Sequence, residues 1–466
     1  MSEKTLVHNQ WSSRMAFMLA AIGSAVGLGN IWKFPYITGE YGGGAFVLVY
    51  LVCILMICMP VMMAEILLGR RGRRSPINTM RELAATAGAS RLWGMVGWGG
   101  VVTGFLILSF YSVVAGWALA YVIEGVAGAF KGLDGESAGA LFGELTASPG
   151  RLVFWHSVFM LMTTVVVANG VRSGLERLVT WLMPLLFVLL AVLVGYAMAA
   201  GDFSHGVHFL FDIDFSRVFT VCDEVGQCRF TAEPSLVAMG HAFFTLSLGM
   251  GAIMVYGSYM PHDASIAGST VMIAVADTLV ALMAGLAIFP LVFANGLEPA
   301  SGPGLVFVSL PIAFGAMPGG QLFGTLFFVL LVFAAWSSSI SLVEPAVAWL
   351  TENRDLPRAR AAWLVGGLAW LLGIGSALSF NLWSGEKYQL FGKTLFDIKD
   401  FLATNIMLPL GGLAIALFTG WAVGRRLPEG ELAMRSPVLF GAWRFTVRYI
   451  SPAGIVLIFL NAIGLV

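Results

Sequence analysis

The chain has 466 residues; 58% of them are hydrophobic, 11% are charged and the formal net charge is zero. A soluble protein of this length carries about a quarter charged residues, so the composition excludes a water-soluble domain and predicts an integral membrane protein. We expect a lipid bilayer around the chain and no nucleic acid as a partner.

Eleven stretches are long and apolar enough to cross a bilayer as helices, which takes about 20 apolar residues. The runs are continuous rather than alternating, which excludes the strands of a membrane barrel. The fold class is therefore an all-α membrane protein, with 1–466 as a single transmembrane domain. The predicted spans lie near 14–36, 44–69, 92–124, 152–170, 175–200, 235–258, 265–295, 320–350, 360–380, 397–424 and 447–466.

The basic residues predict the orientation of the chain. When the N-terminus is placed in the cytoplasm, 18 of the 26 Lys and Arg residues fall on the cytoplasmic side. Cytoplasmic loops carry such an excess, so we expect the N-terminus inside and the C-terminus outside. The outer segment 200–234 then holds Cys222 and Cys228, and the sequence leaves open whether they form a disulfide or stay free thiols. The proline-rich segment 296–319 is predicted to be an external loop, with a re-entrant loop as the alternative.

Spans one and six each contain a Gly- and Ser-rich interruption, Gly23–Asn30 and Thr245–Gly251. Glycine favours irregular backbone, which is tolerated at membrane depth only where it is buried or lines a cavity. The two spans are corresponding members of two five-span halves, 12–200 and 234–426. This symmetry predicts an inverted-repeat transporter with its site at the midplane and an additional eleventh helix at 447–466. Close helix packing through glycine is the alternative.

An unwound helix leaves backbone groups free to bind ligands. Its carbonyls suit a hard cation such as Na⁺, and its N–H groups suit a carboxylate. The residues that would supply these groups, or a side-chain oxygen beside them, are Ser24, Ala25, Val26, Leu28, Gly29, Asn30 and Thr245.

Three features in spans two, five and seven also point to function. Glu65 is a buried acid that could accept N–H bonds from a broken helix. The interval between Gly174 and Pro184 could open a water path from the cytoplasm, or could be a simple kink. Asp277 is an intramembrane carboxylate, which is a functional candidate by default. A bound cation, a carried proton or a protonated structural role would each account for it.

Span eight contains Ala334, Ser337 and Ser338, which share one helix face at i, i+3 and i+4. One carbonyl and two hydroxyls there predict a second cation site. The alternative is that the hydroxyls bond back to their own helix. Glu344 lies in the same span, and the sequence suggests no specific partner for it.

Several motifs in fixed order resemble the neurotransmitter:sodium symporter family. They are Asn9-Gln10-Trp11, the run from Ser24 to Asn30, Lys33-Phe34-Pro35, Gly42-Gly43-Gly44-Ala45-Phe46, Phe243 to Gly249, and Ser337-Ser338-Ser339. The resemblance runs from about residue 8 to the end and is strongest to bacterial eleven-span members that carry hydrophobic amino acids. It implies a LeuT-like fold with broken helices 1 and 6, alternating access, and a bacterial cytoplasmic (inner) membrane.

The resemblance also implies two sodium sites and a substrate pocket. The first sodium would bind the Ala25 carbonyl, Asn30, Thr245, Asp277 and the substrate carboxylate. The second would bind the carbonyls of Gly23, Val26 and Ala334 and the hydroxyls of Ser337 and Ser338. The substrate would lie against Ser24, Ala25, Gly27, Leu28, Gly29, Ile107, Tyr111, Phe244, Thr245, Ser247, Met250, Ser338 and Leu342. Lys33 and Asp400 would form the outer gate, and Trp11 and Glu352 part of the inner gate.

Departures from the family pattern refine these expectations. Lys33 replaces the usual arginine of the outer gate and lacks its bidentate fork, and His8 replaces an inner-gate arginine. Chloride-dependent relatives carry Asn and Ser where this chain has Asp277 and Ala281, so we expect no chloride requirement. Monoamine transporters carry Asp at the position of Gly27, which should leave that space empty and favour a substrate with its own carboxylate.

The apolar pocket residues favour hydrophobic or aromatic L-amino acids, and two sodium ions per substrate are expected. A proton-coupled transporter using Asp277 and a non-transporting amino acid sensor are the alternatives. An enzyme would need a nucleophile, a base or a metal cluster at membrane depth. The sequence shows no such arrangement, so we do not expect an enzyme. The sequence does not determine the oligomeric state.

Overall fold

The computed structural model describes residues 11–222, 228–231, 233–299, 302–463 and 465. Expectations for His8 and for Asn9-Gln10 lie outside these residues. The described chain is almost entirely helical, with one short antiparallel pair of strands, Thr220–Cys222 and Cys228–Phe230. The side chains of Cys222 and Cys228 also lie outside what is described, so their pairing stays open.

Among the described residues, nine helices are long and apolar enough to cross a membrane, or ten when a bent pair counts as one span. The bent pair is Arg14–Ala25 with Gly29–Glu40, at 47° to each other. The nine continuous helices are Gly44–Gly72, Arg91–Ala127, Pro149–Ala168, Val171–Ala200, Ile266–Ala294, Gly320–Asn353, Arg358–Leu378, Leu395–Ala422 and Pro437–Leu460.

The predicted sixth span consists of two short helices, Glu233–Thr245 and Ala252–Ser258. The six residues between them are not helical. Each helix by itself is therefore too short to cross a membrane. We therefore number the spans one to eleven in chain order, with this pair as span six. The count of eleven and the division into two repeats stay predictions.

Short helices fill the connections. The predicted external loop 296–319 contains the apolar helix Leu305–Ala316, which is too short to span. Elsewhere, the connecting helices are Pro76–Thr86, Gly135–Ala147, Phe203–Phe211, Phe215–Phe219, Glu386–Tyr388 and Arg426–Leu432.

The two interruptions have local causes. In span one, Val26 is extended (φ −69°, ψ 107°), and the chain resumes as a π-helix at Gly29–Lys33. In span six, Ser247, Gly249 and Gly251 all have positive φ, which an α-helix cannot accommodate. Both breaks are buried inside the bundle, where they leave backbone groups without helical hydrogen bonds.

Gly249 occupies a position that only glycine fits. A Cβ at Gly249 would lie 2.5 Å from the Leu408 carbonyl oxygen and 2.9 Å from the Gly412 nitrogen, both backbone atoms of span ten. Its φ is +82°, whereas Gly296 has a comparable φ of +64° with nothing within 4 Å of its Cβ position.

We expect Gly249→Ala to lower the melting temperature of the purified protein and to abolish transport. The added Cβ would collide with the backbone of span ten and push that helix out of place. Gly296→Ala is the matched control and should cost only the positive-φ strain, about 1 kcal/mol. Equal melting temperatures for the two variants would show that the close approach at Gly249 is not what destabilises the protein.

Candidate substrate and ion site

A cavity of about 340 Å³ lies between spans one, three, six and eight. The structure brings all of the predicted substrate-binding residues together around it. Its wall consists of Ser24, Ala25, Gly27, Leu28, Gly29, Ile107, Tyr111, Phe244, Thr245, Ser247, Met250, Ser338 and Leu342. The cavity is therefore bordered by both helix breaks, as expected for a midplane site.

One side of the cavity is polar. The hydroxyl of Tyr111 accepts a hydrogen bond from the Leu28 N–H at 3.2 Å, so a residue of span three reaches the break in span one. The Ser247 hydroxyl donates to the Ser24 carbonyl at 2.8 Å and ties the two breaks together. Ile107, Met250 and Leu342 also line the cavity, and they offer only apolar surface.

The space beside Gly27 is filled rather than empty. A Cβ at Gly27 would lie 2.5 Å from the Ser338 Oγ and 3.0 Å from the Tyr111 hydroxyl. The expectation of an open space was wrong because spans three and eight both direct a hydroxyl at this point. An aspartate here would require the Ser338 and Tyr111 side chains to shift.

Asp277 is fully buried beside the break in span one, and three neutral donors hold its carboxylate. Asn30 Nδ2 donates at 2.8 Å, the Thr245 hydroxyl donates to the two oxygens at 3.1 and 3.2 Å, and the Tyr50 hydroxyl donates at 3.4 Å. No basic side chain in the described part of the chain pairs with it. A negative charge held only by neutral donors suits a bound cation.

Asn30 is oriented by both of its neighbours. Its Oδ1 accepts the Gly27 N–H at 2.9 Å, while its Nδ2 also donates to the Asp277 carbonyl at 3.1 Å. The second lone pair of Oδ1 remains for a cation. The structure thus brings Asn30, Thr245 and Asp277 together, and Ala25 lines the adjoining cavity.

Residues predicted for the second cation site also meet in the structure. The Ser338 hydroxyl lies 3.3 Å from the Gly23 carbonyl oxygen and 3.1 Å from that of Val26, across the boundary between spans eight and one. The Ser337 hydroxyl instead bonds back to the Ala334 carbonyl at 3.0 Å. The back-bonding alternative therefore describes Ser337, whereas Ser338 connects the two helices.

Span five borders this second group. A Cβ at Gly23 would lie 3.2 Å from both the Met183 sulfur and the Ser337 Cβ, and Met183 precedes Pro184. Gly174 lies in the π-helix Val171–Glu176, and its Cβ position is 2.1 Å from the Val166 carbonyl oxygen. Glycine at 174 thus permits a tight return of the chain from span four.

Glu65 accepts the Gly249 N–H at 2.6 Å, inside the break of span six. This is the kind of bond predicted for it. The bond satisfies one backbone donor that the interrupted helix leaves free.

A second cavity of about 480 Å³ adjoins the first and contains Lys33 and Asp400 in its wall. Phe244 borders both cavities, and the Lys33 ammonium lies 4.9 Å from the centre of its ring. Lys33 and Asp400 form no ion pair in the described structure. The two predicted gate residues therefore face one space without closing it.

The opposite end of the bundle is closed by close contacts. Trp11 is 2% exposed; its indole donates to the Tyr256 carbonyl at 3.4 Å and its backbone N–H to the Tyr259 carbonyl at 3.2 Å. Glu352 accepts hydrogen bonds from the Ser75 N–H at 2.6 Å and from Asn78 at 2.6 Å.

An ion pair next to this closed end was not predicted from the sequence. Glu344 is fully buried, and Arg358 donates to its two oxygens at 2.9 and 2.5 Å, with Tyr259 donating at 2.7 Å. Arg358 lies 14 residues further along, past the end of span eight, so helical spacing gives no signal for the pair.

We expect Glu344→Gln to destabilise the protein by about 3 kcal/mol, because it leaves Arg358 largely buried without a counter-charge. The matched control is Glu82→Gln, which removes a surface ion pair with Arg74. The side chains of Arg74 and Glu82 are 44% and 52% exposed. Such pairs contribute well under about 1 kcal/mol. Thermal unfolding of both purified variants measures the difference, and similar melting temperatures would contradict a stabilising role of the buried pair.

Known proteins that are similar to this chain indicate its family. The sequence model of the Sodium:neurotransmitter symporter family matches residues 8–131 and 142–464. An uncharacterized sodium-dependent transporter of Bacillus subtilis, YhdH, is 38% identical and covers 100% of this chain and 99% of its own length. One from Haemophilus influenzae is 31% identical, with 97% of each chain covered.

Among solved structures, a crystal structure of MhsT in complex with L-phenylalanine superposes with a TM-score of 0.88. It is 43% identical in sequence and matches 98% of this chain and 100% of that one.

Proposed function

Since this chain belongs to the sodium:neurotransmitter symporter family, we propose that it carries hydrophobic and aromatic L-amino acids into the cell together with sodium. It is a sodium-dependent transporter rather than an enzyme, and its likeness to MhsT confirms the predicted LeuT-like fold.

The cavity between the two helix breaks is the observation that carries the substrate proposal. Tyr111 and the backbone of span one offer a polar end for an α-carboxylate, and Ile107, Met250 and Leu342 offer an apolar end for a side chain. Methionine adapts to several side-chain shapes. The L-phenylalanine in complex with the related MhsT is an amino acid of the same class.

Two sodium ions per substrate would fit the two groups of oxygens. The first group consists of the Ala25 carbonyl with Asn30, Thr245 and Asp277. The second consists of the carbonyls of Gly23, Val26 and Ala334 with the hydroxyls of Ser337 and Ser338. Both join span one to another element, so bound sodium would hold span one in place.

Chloride would not be required. Asp277 supplies a fixed negative charge within the first group, and Ala281 one helical turn further on has no hydroxyl to hold an anion. The carboxylate already balances the charge of the first sodium ion.

Transport would follow alternating access across a bacterial cytoplasmic membrane, with the N-terminus inside and the C-terminus outside. Sodium would favour the outward-open form, and substrate would let Phe244, Lys33 and Asp400 close the outer cavity. Loss of the second sodium would then free the contacts of Trp11 and Glu352. The interval from Gly174 to Pro184 would admit water to that sodium.

Uptake into proteoliposomes tests the proposal. We expect radiolabelled leucine or tryptophan to accumulate under an inward sodium gradient, to stop when choline replaces sodium, and to continue when gluconate replaces chloride. Competition by each of the twenty L-amino acids then defines the substrate class. Uptake that survives choline and follows a proton gradient would favour the proton-coupled reading, and binding without uptake would favour a sensor.

A further inference from the structure

Three arginines meet where span ten ends and span eleven begins. Arg425 precedes the short helix Arg426–Leu432, and Arg444 and Arg448 lie in the first half of span eleven. The charges of Arg425 and Arg448 both repel that of Arg444, and Glu429 is the acid that acts on it. This arginine cluster therefore carries more positive charge than its acidic neighbour can balance.

Arg425 and Arg448 are held in place by other contacts. Arg425 Nε lies 3.3 Å from a carboxylate oxygen of Glu429, and its guanidinium lies 5.6 Å from the Phe440 ring centre. Arg448 Nε donates to the Gly420 carbonyl at 2.5 Å, and its guanidinium lies 4.8 Å from the Trp421 ring centre.

Arg444 has no such contact. It forms no hydrogen bond or ion pair with any residue that the structure describes, and its Nη1 is shielded from solvent without an acceptor. A shielded guanidinium nitrogen without an acceptor is unfavourable, so the geometry calls for an external anion at this point.

The surroundings of the cluster are those of a membrane interface. Trp421, Phe445 and Tyr449 are 53%, 56% and 47% exposed, and their rings pack in a row from Trp421 through Tyr449 to Phe445. Tryptophan and tyrosine concentrate at the level of lipid headgroups, with apolar side chains toward the acyl chains. Val438 and Leu439, at 78% and 64% exposed, add exposed apolar surface at the start of span eleven.

We propose that the arginine cluster binds the phosphodiester group of an anionic phospholipid, with Arg444 as its central ligand and the acyl chains against the exposed residues of span eleven. Guanidinium groups recognise phosphate through two parallel hydrogen bonds, which none of the neighbouring carboxylates provides for Arg444. Glu431, two residues after Glu429, pairs with Arg70 at 2.9 Å, so the cluster lies at the end of the bundle that carries the basic loops. This inference does not depend on the transported substrate.

Native mass spectrometry tests it, with the full-length protein released from micelles that contain dioleoyl-phosphatidylglycerol or dioleoyl-phosphatidylcholine. We expect the protein to retain one more molecule of phosphatidylglycerol than of phosphatidylcholine. Arg444→Gln should weaken its retention roughly fivefold, and Arg444→Lys, which keeps the charge, should retain most of it. Arg91→Gln removes an exposed arginine outside the cluster and should bind as the wild type does.

Four results would overturn the proposal. They are equal retention of the two lipids, equal retention by wild type and Arg444→Gln, an equal loss in Arg91→Gln, and displacement of the lipid by excess inorganic phosphate. A dimer that only Arg444→Gln dissociates would assign the cluster to a protein interface instead. If Arg444→Gln does not fold, Arg448→Gln against the same control decides between these outcomes.

Discussion

Replacing Asp277 by Asn should reduce sodium-driven uptake by roughly two orders of magnitude. The carboxylate is fully buried, and Asn30, Thr245 and Tyr50 surround it with neutral donors only. Removing one partner of a buried pair of charges costs about 3 kcal/mol or more, which corresponds to roughly a hundredfold weaker ion binding. The measurement is initial uptake in proteoliposomes as a function of sodium concentration.

The control for this variant is Asp263→Asn, which makes the same chemical change on an exposed loop residue. We expect its sodium activation curve to match that of the wild type. An Asp277→Asn variant with an unchanged sodium curve and an altered response to a proton gradient would contradict the sodium ligand and support the proton carrier.

The double variant Ser337→Ala plus Ser338→Ala should weaken the apparent sodium affinity about tenfold or more. The Ser338 hydroxyl lies within 3.3 Å of the carbonyl oxygens of both Gly23 and Val26, so its loss removes a sodium ligand and a connection between spans eight and one. An oxygen ligand or hydrogen bond to a charge contributes about 1.5–3 kcal/mol. Sodium-dependent protection against thermal unfolding measures the effect without requiring transport.

The single variants assign the effect, and Ser341→Ala controls for the loss of a buried hydroxyl. Because the Ser337 hydroxyl bonds back to Ala334, we expect Ser338→Ala alone to account for the larger share. Ser341 lies in the same helix, and its hydroxyl bonds to the Ser338 carbonyl at 2.7 Å. Sodium protection that is the same in the double variant and in Ser341→Ala would argue against a second site at these residues.

Much of the architecture was predictable from the order of residue types. Continuous apolar runs define the spans because a bilayer requires every backbone group to be satisfied within the helix. The glycines and serines of spans one and six mark the two breaks for the same reason, since only a cavity or buried surface tolerates them. The predicted pocket residues could be named because the resemblance to the family, carried by motifs in spans one, six and eight, implies their positions.

Other features depend on which side chains meet in space. Tyr111 and Ser338 fill the space beside Gly27, although the sequence suggested that it was open. Lys33 faces the Phe244 ring rather than pairing with Asp400.

The sequence by itself thus determined the membrane setting, the interrupted spans and the identity of the buried polar residues, because these depend on composition and on local backbone preference. Only the tertiary structure decided the partners: Arg358 for Glu344, the Gly23 and Val26 carbonyls for Ser338, and, among the residues that the structure describes, none for Arg444. The physical reason is that a hydrogen bond or ion pair depends on distances of about 3 Å between atoms of different helices. Such distances are set by how the helices tilt and pack against one another, which periodicity along a single helix does not encode.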